Sequence, residues 1–511
     1  MHRSLGFGFA GALGLVFGVA AGACRSDNDE GLAEEGFGGS GTMTTSGTTS
    51  GTGTWGAGGG GEPQPPPNVA APDAGPDTPI ECAKLDPSKP LVLYLSADDS
   101  NSMASPVVAR EMLSLGKAPH NAIRTYEFLN YYRIAYEAAP QGHLSIFPEL
   151  AQEATPGEYL LQIGVRSFDA PKQRRPITVT FVLDTSGSMD GPGIERERAA
   201  VTAIAGALSE GDVVSMVRWD TTNTILLSGF VVSGPNDPVV LTKADGLTAN
   251  GGTDLHAGLV AGYDLAKKHY AANRLNRVVL ISDGGANVGV TDADLIAEHS
   301  KDADAEGIYL VGIGAGPAEG YSDALMDTVT DKGRGAYIYL DDPTEAAKIL
   351  DERFDEAMEI AARGVQVQLT LPWYFQMEHF YGEEYSEDPK EVQPQHLAPS
   401  DAMVFDQIIK ACDPSVVVPA DTIGVKATWE EPLTYVKQET SVTSTVAALL
   451  GGSNAHLAKG KAIVAYAEAL KVGTHEALVQ AHDLVAAADP AKTDPELGEI
   501  RALIEKHPAY F

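Results

Sequence analysis

The stretch that decides the fold is residues 178–191, which read Thr-Val-Thr-Phe-Val-Leu-Asp-Thr-Ser-Gly-Ser-Met-Asp-Gly. The first six of these residues are apolar or β-branched throughout, which predicts a strand buried on both faces. The run stops at Asp184, and Ser186 and Ser188 follow at alternate positions, with Gly187 allowing a sharp turn. One carboxylate and two hydroxyls on so tight a loop can direct oxygens to a single point, as Mg²⁺ requires. A turn with a helix N-cap uses the same residue types, so this loop alone leaves both interpretations open.

Two later segments favour the metal interpretation. Residues 250–259 form a Gly-rich stretch that places Thr253 just ahead of a helical pattern. Residues 277–285 form a second buried-strand pattern, which ends in Asp283 and two glycines. Neighbouring parallel strands carry their C-terminal loops to the same edge of a sheet, where ligands bind. We therefore expect Asp283 to meet Asp184 at that edge, with the three hydroxyl side chains between them.

Together these motifs resemble the metal-ion-dependent adhesion site of the von Willebrand factor type A (VWA) domain, in which Asp-x-Ser-x-Ser is followed by a Thr and then by an Asp after another strand. All five positions are present in this chain: Asp184, Ser186, Ser188, Thr253 and Asp283. The resemblance implies that the two serines and the threonine are inner ligands, while the aspartates supply charge and orientation largely through waters. It also implies an open metal position that a protein partner completes with an Asp or Glu side chain. We expect Mg²⁺ or Mn²⁺ at this site in preference to Ca²⁺.

Alternating strand and helix patterns extend over residues 176–362 and predict an α/β fold, a doubly wound and mostly parallel sheet (VWA, Rossmann-like) with helices on both faces. The text of residues 122–132, and the order of β patterns and then helices after the A domain, resemble the flanks of the A domain in a group of bacterial surface lipoproteins. We therefore expect the A domain to be inserted in a β-rich flanking domain with a C-terminal helical tail. The aromatic residues of 122–132 fit either a helix packed on a core or a binding face, and their spacing favours the core.

The predicted organisation has six segments. They are a lipoprotein signal peptide over 1–23, a disordered Gly/Ser/Thr/Pro-rich tether over 24–89, an N-terminal flanking domain over 90–175, the VWA domain over 176–362, a β-rich flanking region over 363–445 and a helical region over 446–511.

The N-terminus predicts export and anchoring. Residues 1–23 have a basic start, an apolar core and a small-residue end, which is typical of an export signal. Cys24 follows at once, an arrangement that resembles bacterial lipoprotein signals, in which this cysteine carries lipid. A single transmembrane anchor is the alternative, because the apolar run approaches the length needed to span a bilayer. We expect a lipid anchor in the bacterial cell envelope, at the outer membrane or cell surface in preference to the inner membrane.

If Cys24 carries lipid, Cys82 and Cys412 remain as an even pair in an oxidising compartment. We predict a disulfide between them, and two unpaired thiols are the alternative.

Composition and missing motifs limit the function. The chain has 511 residues and a formal net charge of −34, which argues against nucleic acid as a partner. It has no phosphate-binding G-x-x-x-x-G-K-[ST], no G-x-S-x-G and no H-E-x-x-H, so we predict a binding protein and not an enzyme. The main alternative is a structural envelope-assembly protein in which the metal only stabilises the fold. An unrecognised hydrolase is the least favoured interpretation.

Overall fold

The computed structural model describes residues 81–98, 101–119, 123–171, 173–285 and 307–511. The predicted signal peptide, Cys24 and the tether as far as residue 80 lie outside the described residues. A helix predicted over 292–305 also lies outside them.

The described elements are numbered in chain order. The strands are β1 (Leu91–Ser96), β2 (Ser145–Gln152), β3 (Glu158–Arg166), β4 (Ile177–Asp184), β5 (Val213–Trp219), β6 (Asn223–Val231), β7 (Leu275–Ser282), β8 (Ile308–Gly314), β9 (Tyr337–Tyr339), β10 (Ala362–Leu371), β11 (Phe375–Phe380), β12 (Glu384–Ser386), β13 (Gln395–Leu397), β14 (Ala402–Ala411), β15 (Thr422–Glu430) and β16 (Lys437–Thr445). The helices are α1 (Ala104–Ser114), α2 (Thr125–Tyr131), α3 (Pro192–Ala207), α4 (Pro238–Asp245), α5 (Leu255–Lys268), α6 (Asp323–Gly333), α7 (Pro343–Ala347), α8 (Phe354–Met358), α9 (Val446–Leu450), α10 (Ala455–Val472), α11 (His475–Ala488) and α12 (Pro495–Lys506).

The central sheet has the strand order β6-β5-β4-β7-β8-β9. All neighbouring pairs in it are parallel except β5 and β6. Every residue of β4, β7 and β8 is buried, as expected for strands covered on both faces. Because β4 and β7 are parallel neighbours, their C-terminal ends lie side by side at one edge of the sheet.

The flanking regions fold together across the A domain, which confirms the predicted fold class. Strand β1 precedes the A domain and pairs with β10, which follows it. Strand β3 likewise pairs with β14 over its whole length. The resulting sheets have the orders β12-β1-β10-β15-β16 and β11-β14-β3-β2, and their apolar faces share one core. The central sheet is therefore an insertion between strands of one β-rich domain.

One predicted helix differs from the structure. The sequence predicts a single helix over 344–361, whereas the structure has α7, a π-helical turn at Lys348–Glu352 and α8, which ends at Met358. The chain leaves the helix there because it must join the flanking sheet, where the amide of Ala361 donates to the carbonyl of Leu397 over 2.8 Å.

Helix α10 packs against α2, and the three C-terminal helices contribute to the same core as the central sheet. Phe128, Tyr131 and Tyr132 of the aromatic segment are fully buried there. The rings of Phe128 and Tyr466 lie edge to face, with centroids 5.5 Å apart. These aromatic residues therefore belong to the core, as their spacing favours, and do not form a binding face.

Ion pairs hold α1 and α2 against the central domain. Arg196 of α3 pairs with Glu111 of α1 over 2.7 Å. Arg124, just before α2, reaches Asp323 of α6 over 2.5 Å and also contacts the buried carboxylate of Glu127. These ion pairs therefore join α1 to α3 and the start of α2 to α6.

The structure joins Cys82 and Cys412 in a disulfide, with Cα atoms 5.2 Å apart and a sequence separation of 330 residues. We expect the Cys82→Ser/Cys412→Ser double variant to lose about 2–4 kcal/mol of unfolding free energy, since the crosslink restricts the unfolded chain. Urea denaturation of the oxidised wild type and the variant measures this loss. As a control, reduction with dithiothreitol should destabilise the wild type and leave the variant unchanged. Equal stability of the oxidised wild type and the variant would contradict the prediction.

A buried carboxyl group between β14 and α10 predicts a pH dependence of stability. Burial raises the pKa of Asp406 to about 8, and no described residue hydrogen-bonds to its carboxyl oxygens. The folded state therefore keeps a proton that the unfolded chain loses near pH 4, so this group's contribution to stability falls as pH rises from about 4 to 8. We expect Asp406→Asn to gain a few kcal/mol over wild type at pH 8 and little at pH 4. Urea denaturation at both pH values tests this, and a gain independent of pH would contradict it.

Candidate metal centre

The first part of the site is the loop after β4. Asp184 and Ser186 are completely buried, whereas Ser188 is exposed. The amide of Ser186 donates to Asp184 Oδ1 over 2.9 Å, and Ser282 Oγ donates to Asp184 Oδ2 over 2.6 Å. The hydroxyls of Ser186 and Ser188 lie 3.1 Å apart. The loop therefore fixes the carboxylate of Asp184 and brings two hydroxyls together, one of them open to solvent.

Backbone hydrogen bonds attach the Gly-rich loop to this first loop. The amide of Gly187 donates to the carbonyl of Gly251 over 3.1 Å, and the amide of Asn250 donates to the carbonyl of Thr185 over 2.7 Å. Asp254 then caps α5 by accepting from the amide of Ala257. These contacts hold Thr253, which is buried, between the loop after β4 and the start of α5.

Three of the predicted side chains surround one point in space. That point is the position that a Cβ atom would take on Gly285, and it lies 3.0 Å from Asp283 Oδ1, 3.8 Å from Ser188 Oγ and 3.7 Å from Thr253 Cγ2. The amide of Gly285 donates to Asp283 Oδ1 over 2.9 Å. Side chains from three distant segments of the sequence thus converge at the end of β4 and β7, and a glycine leaves the space between them open.

The carboxylates at this edge of the sheet repel each other. The pKa of Asp184 is raised to about 7, first by burial and second by the charge of Asp283. Glu197, on the buried face of α3, has its pKa raised well above the usual range, again by burial first and then by Asp184. Neither carboxyl oxygen of Glu197 has a hydrogen-bonding partner among the described residues. A cation at this edge would therefore relieve a concentration of negative charge.

Two contributors to the site do not follow from its motif. Ser282 immediately precedes Asp283 and reads in the sequence as the last residue of a buried strand, yet it holds Asp184. Glu197 reads as an ordinary polar residue near the start of a helix. The sequence carries no signal for either role, because both arise only when α3 and β7 are brought beside β4.

The residues present fit a hard divalent cation. Carboxylate and hydroxyl oxygens are the donors that Mg²⁺ prefers. The open space beside Gly285 is bordered by one of each, Asp283 Oδ1 and Ser188 Oγ, and by the methyl carbon of Thr253. Among the described residues there is no group of three or more His, Cys, Asp and Glu side chains arranged to hold a metal ion. Any ion at this edge would therefore depend on the serine and threonine hydroxyls as well as on the two aspartates.

A methyl group in this space should prevent metal binding without unfolding the protein. Gly285 has no positive φ, so alanine fits its backbone, but the new Cβ would occupy the space between Asp283 Oδ1 and Ser188 Oγ. We expect Gly285→Ala to weaken Mn²⁺ binding about tenfold or more, as measured by calorimetry. Gly320→Ala is the matched control, because a Cβ there has no atom of the described residues within 4 Å beyond its chain neighbours. If Gly285→Ala bound Mn²⁺ like this control, the space would not be the ion's position.

The comparisons with known proteins agree with this architecture. Residues 179–286 match the von Willebrand factor type A domain family. This stretch includes all three motifs of the candidate site, so the chain contains a VWA domain.

Its relatives include bacterial and animal proteins. The chain is 27% identical over 296 residues to the uncharacterized protein YfbK of Escherichia coli, an alignment that covers 55% of this chain and 50% of YfbK. It is 24% identical over 196 residues to inter-alpha-trypsin inhibitor heavy chain H1 of Sus scrofa, covering 37% of this chain and 22% of the relative. The chain thus spans half or less of the length of these two relatives.

A solved structure of a von Willebrand factor type A protein from Catenulispora acidiphila is similar, at 14% sequence identity and a TM-score of 0.45. That similarity covers 69% of this chain and 88% of the other. Separately, none of the helices in the described ranges combines the length and apolar character needed to cross a bilayer.

Proposed function

We propose that this protein is a cell-envelope lipoprotein whose VWA domain binds a partner protein through a divalent cation, Mg²⁺ or Mn²⁺. The observation that carries the proposal is the arrangement of Ser188, Thr253 and Asp283 around one open point beside the buried Asp184. Ser188 is exposed, so an ion held there would be accessible from solvent. A site of this kind suits binding, because an outside ligand can reach the ion.

Each residue would have a distinct part. The hydroxyls of Ser186, Ser188 and Thr253 would hold the ion, and Asp184 and Asp283 would supply its countercharge. When bound, the ion would supply a Lewis-acidic position for an acidic side chain of the partner. Ser282 would keep the Asp184 carboxylate in place through its 2.6 Å hydrogen bond.

Capture from envelope extracts tests the binding function. The full-length protein is immobilised in buffer with Mg²⁺, exposed to envelope extract and eluted with EDTA, and Asp184→Asn is treated in parallel. We expect a defined set of proteins to elute from the wild type alone. Blocking the acidic side chains of the extract by carbodiimide amidation should remove that set. If both proteins retain the same set, and EDTA lowers only the melting temperature, the metal is structural and the envelope-assembly alternative applies.

The anchor is tested separately. We propose that Cys24 carries the lipid and that the Gly/Ser/Thr/Pro-rich residues after it act as a tether. Cells expressing Cys24→Ser should release the protein from the membrane fraction and incorporate no labelled palmitate, whereas wild type is labelled and sediments with membranes. Membrane retention of the unlabelled variant would favour the transmembrane alternative over the lipoprotein.

A further inference from the structure

A second cavity lies at the opposite end of the central sheet, where β7 and β8 begin. It has a volume of about 60 Å³, more than one water molecule needs. Four arginines line it, from three separate segments: Arg175 before β4, Arg274 and Arg277 at the start of β7, and Arg363 at the start of β10. The described lining contains no Asp or Glu. In a chain with 70 acidic and 36 basic residues, such a concentration of positive charge is exceptional.

Three of these guanidinium groups have no carboxylate within ion-pair distance in the part of the chain that the structure describes. Arg175 pairs with Glu359 over 3.0 Å. Arg274 donates to the backbone carbonyls of Ile177 and Gly211, and Arg277 donates to the carbonyl of Asn276. Arg363 donates to the hydroxyl of Tyr309.

Aromatic rings hold two of the arginines in position. The guanidinium of Arg277 lies 5.0 Å from the ring centroid of Tyr309, and that of Arg363 lies 5.7 Å from the same ring. Arg363 is also 5.2 Å from the ring centroid of Tyr435, which is exposed at the cavity mouth. Cation–π contacts orient these groups without supplying an anionic partner.

Burial makes this arrangement costly. Arg277 is only 4% exposed, and burial lowers its pKa to about 10. The charge of Arg175 acts in the same direction, and the charge of Glu359, which already pairs with Arg175, only partly opposes it. Buried cations normally have an anionic partner, because removing a charge from water without one is strongly unfavourable. An anion from solution would supply that partner, and the exposed mouth gives it access.

We propose that this cavity binds a phosphate group, either as the free ion or as a phosphomonoester. Guanidinium groups that approach from three chain segments suit the tetrahedral oxygens of phosphate, whereas a carboxylate presents its two oxygens in one plane. A dianion also compensates more of the unpaired charge than a carboxylate does. The cavity is at the other end of the strands from the candidate metal centre, so the two sites are independent.

Titration of the full-length protein with inorganic phosphate tests the proposal. Calorimetry is done at constant ionic strength against chloride, because surface charge effects are thereby held fixed. We expect saturable binding to the wild type and a loss of affinity of about tenfold or more in both Arg363→Gln and Arg277→Gln. Arg363 is partly exposed, so its variant tests the proposal even if the buried Arg277→Gln fails to fold.

Arg501→Gln on α12 is the matched control, since it removes an arginine that does not line the cavity. Absence of saturable phosphate binding in the wild type would overturn the proposal, as would equal affinities in Arg363→Gln and Arg501→Gln. Competition with phenyl phosphate distinguishes the two sources. Displacement of bound phosphate indicates a site for monoesters, and failure to displace it confines the site to the free ion.

Discussion

Asp184→Asn is expected to reduce Mn²⁺ affinity by at least about 100-fold, beyond what loss of a supporting partner of a metal site usually costs. The amide keeps the shape of the side chain, so the contacts to Ser186 and Ser282 can be retained. It removes the charge that a divalent ion would require at this position. Calorimetric titration of the metal-free protein measures the change.

The free energy of unfolding of Asp184→Asn without metal shows whether the substitution removes only the metal site or also destabilises the fold. Because the pKa of Asp184 is raised to about 7, the folded metal-free protein holds a proton that the unfolded chain releases near pH 4. This group's contribution to stability therefore falls as pH rises from about 4 to 7. At pH 8 without metal, Asp184→Asn should be at least as stable as wild type, and added Mn²⁺ should stabilise wild type alone.

Asp190→Asn is the control, since it neutralises an exposed carboxylate of the same loop. It should bind Mn²⁺ with nearly wild-type affinity. Wild-type affinity in Asp184→Asn would contradict the assignment of this residue to the metal centre.

Arg124→Ala is expected to lower the free energy of unfolding by about 3–5 kcal/mol, the usual cost of removing one partner from a buried ion pair. The Arg124 side chain is 18% exposed and faces Glu127, which is 0% exposed, and Asp323, which is 15% exposed. Without the guanidinium, the Glu127 carboxylate would stay buried beside another acid. Burial already raises the pKa of Glu127.

Lys426→Ala is the matched control for this prediction. It removes one partner of the Lys426–Glu439 pair, whose side chains are 39% and 66% exposed. Exposed pairs contribute between about 0 and 1 kcal/mol, so this variant should remain close to wild type. Urea denaturation compares the two variants. A similarly small loss of unfolding free energy in both would show that the ion pairs of Arg124 with Glu127 and Asp323 do not hold α2 against the central domain.

The sequence predicts a strand or helix correctly where its apolar pattern matches the burial of that element in the fold. The apolar runs before Asp184 and Asp283 predict β4 and β7, and their shared edge follows from parallel packing. The sequence predicts three C-terminal helices over 456–471, 475–488 and 494–506. These bounds agree with those of α10, α11 and α12 to within one residue at each end. For α11 and α12, helical periodicity and the caps Thr474 and Asp494 explain that agreement.

Edge strands were harder to predict. Strand β2 carries Pro148 at its centre, which argues against a strand, yet β2 is at the edge of its sheet, where a missing amide is tolerated. Strand β16 is polar along most of its length because it pairs with β15 on one side only and is largely exposed. In both strands the decisive fact is the position in the sheet, which local sequence does not carry.

Prediction of the candidate site is limited in the same way, because some of its residues are set by packing and not by local sequence. Its five motif residues can be found from spacing, because each stands at a strand end or in a Gly-rich loop. Ser282 and Glu197 cannot, since their relation to Asp184 depends on packing between β7, α3 and β4. The open point beside Gly285 is likewise a property of three loops together.

The central claim is that side chains from three loops form one accessible site for a divalent ion. Anomalous diffraction from crystals grown with Mn²⁺ tests it most directly. A single strong peak is predicted beside Gly285, about 2.0–2.6 Å from the hydroxyl oxygens of Ser186, Ser188 and Thr253. A Mn²⁺ peak elsewhere, with none at the shared edge of β4 and β7, would contradict the account.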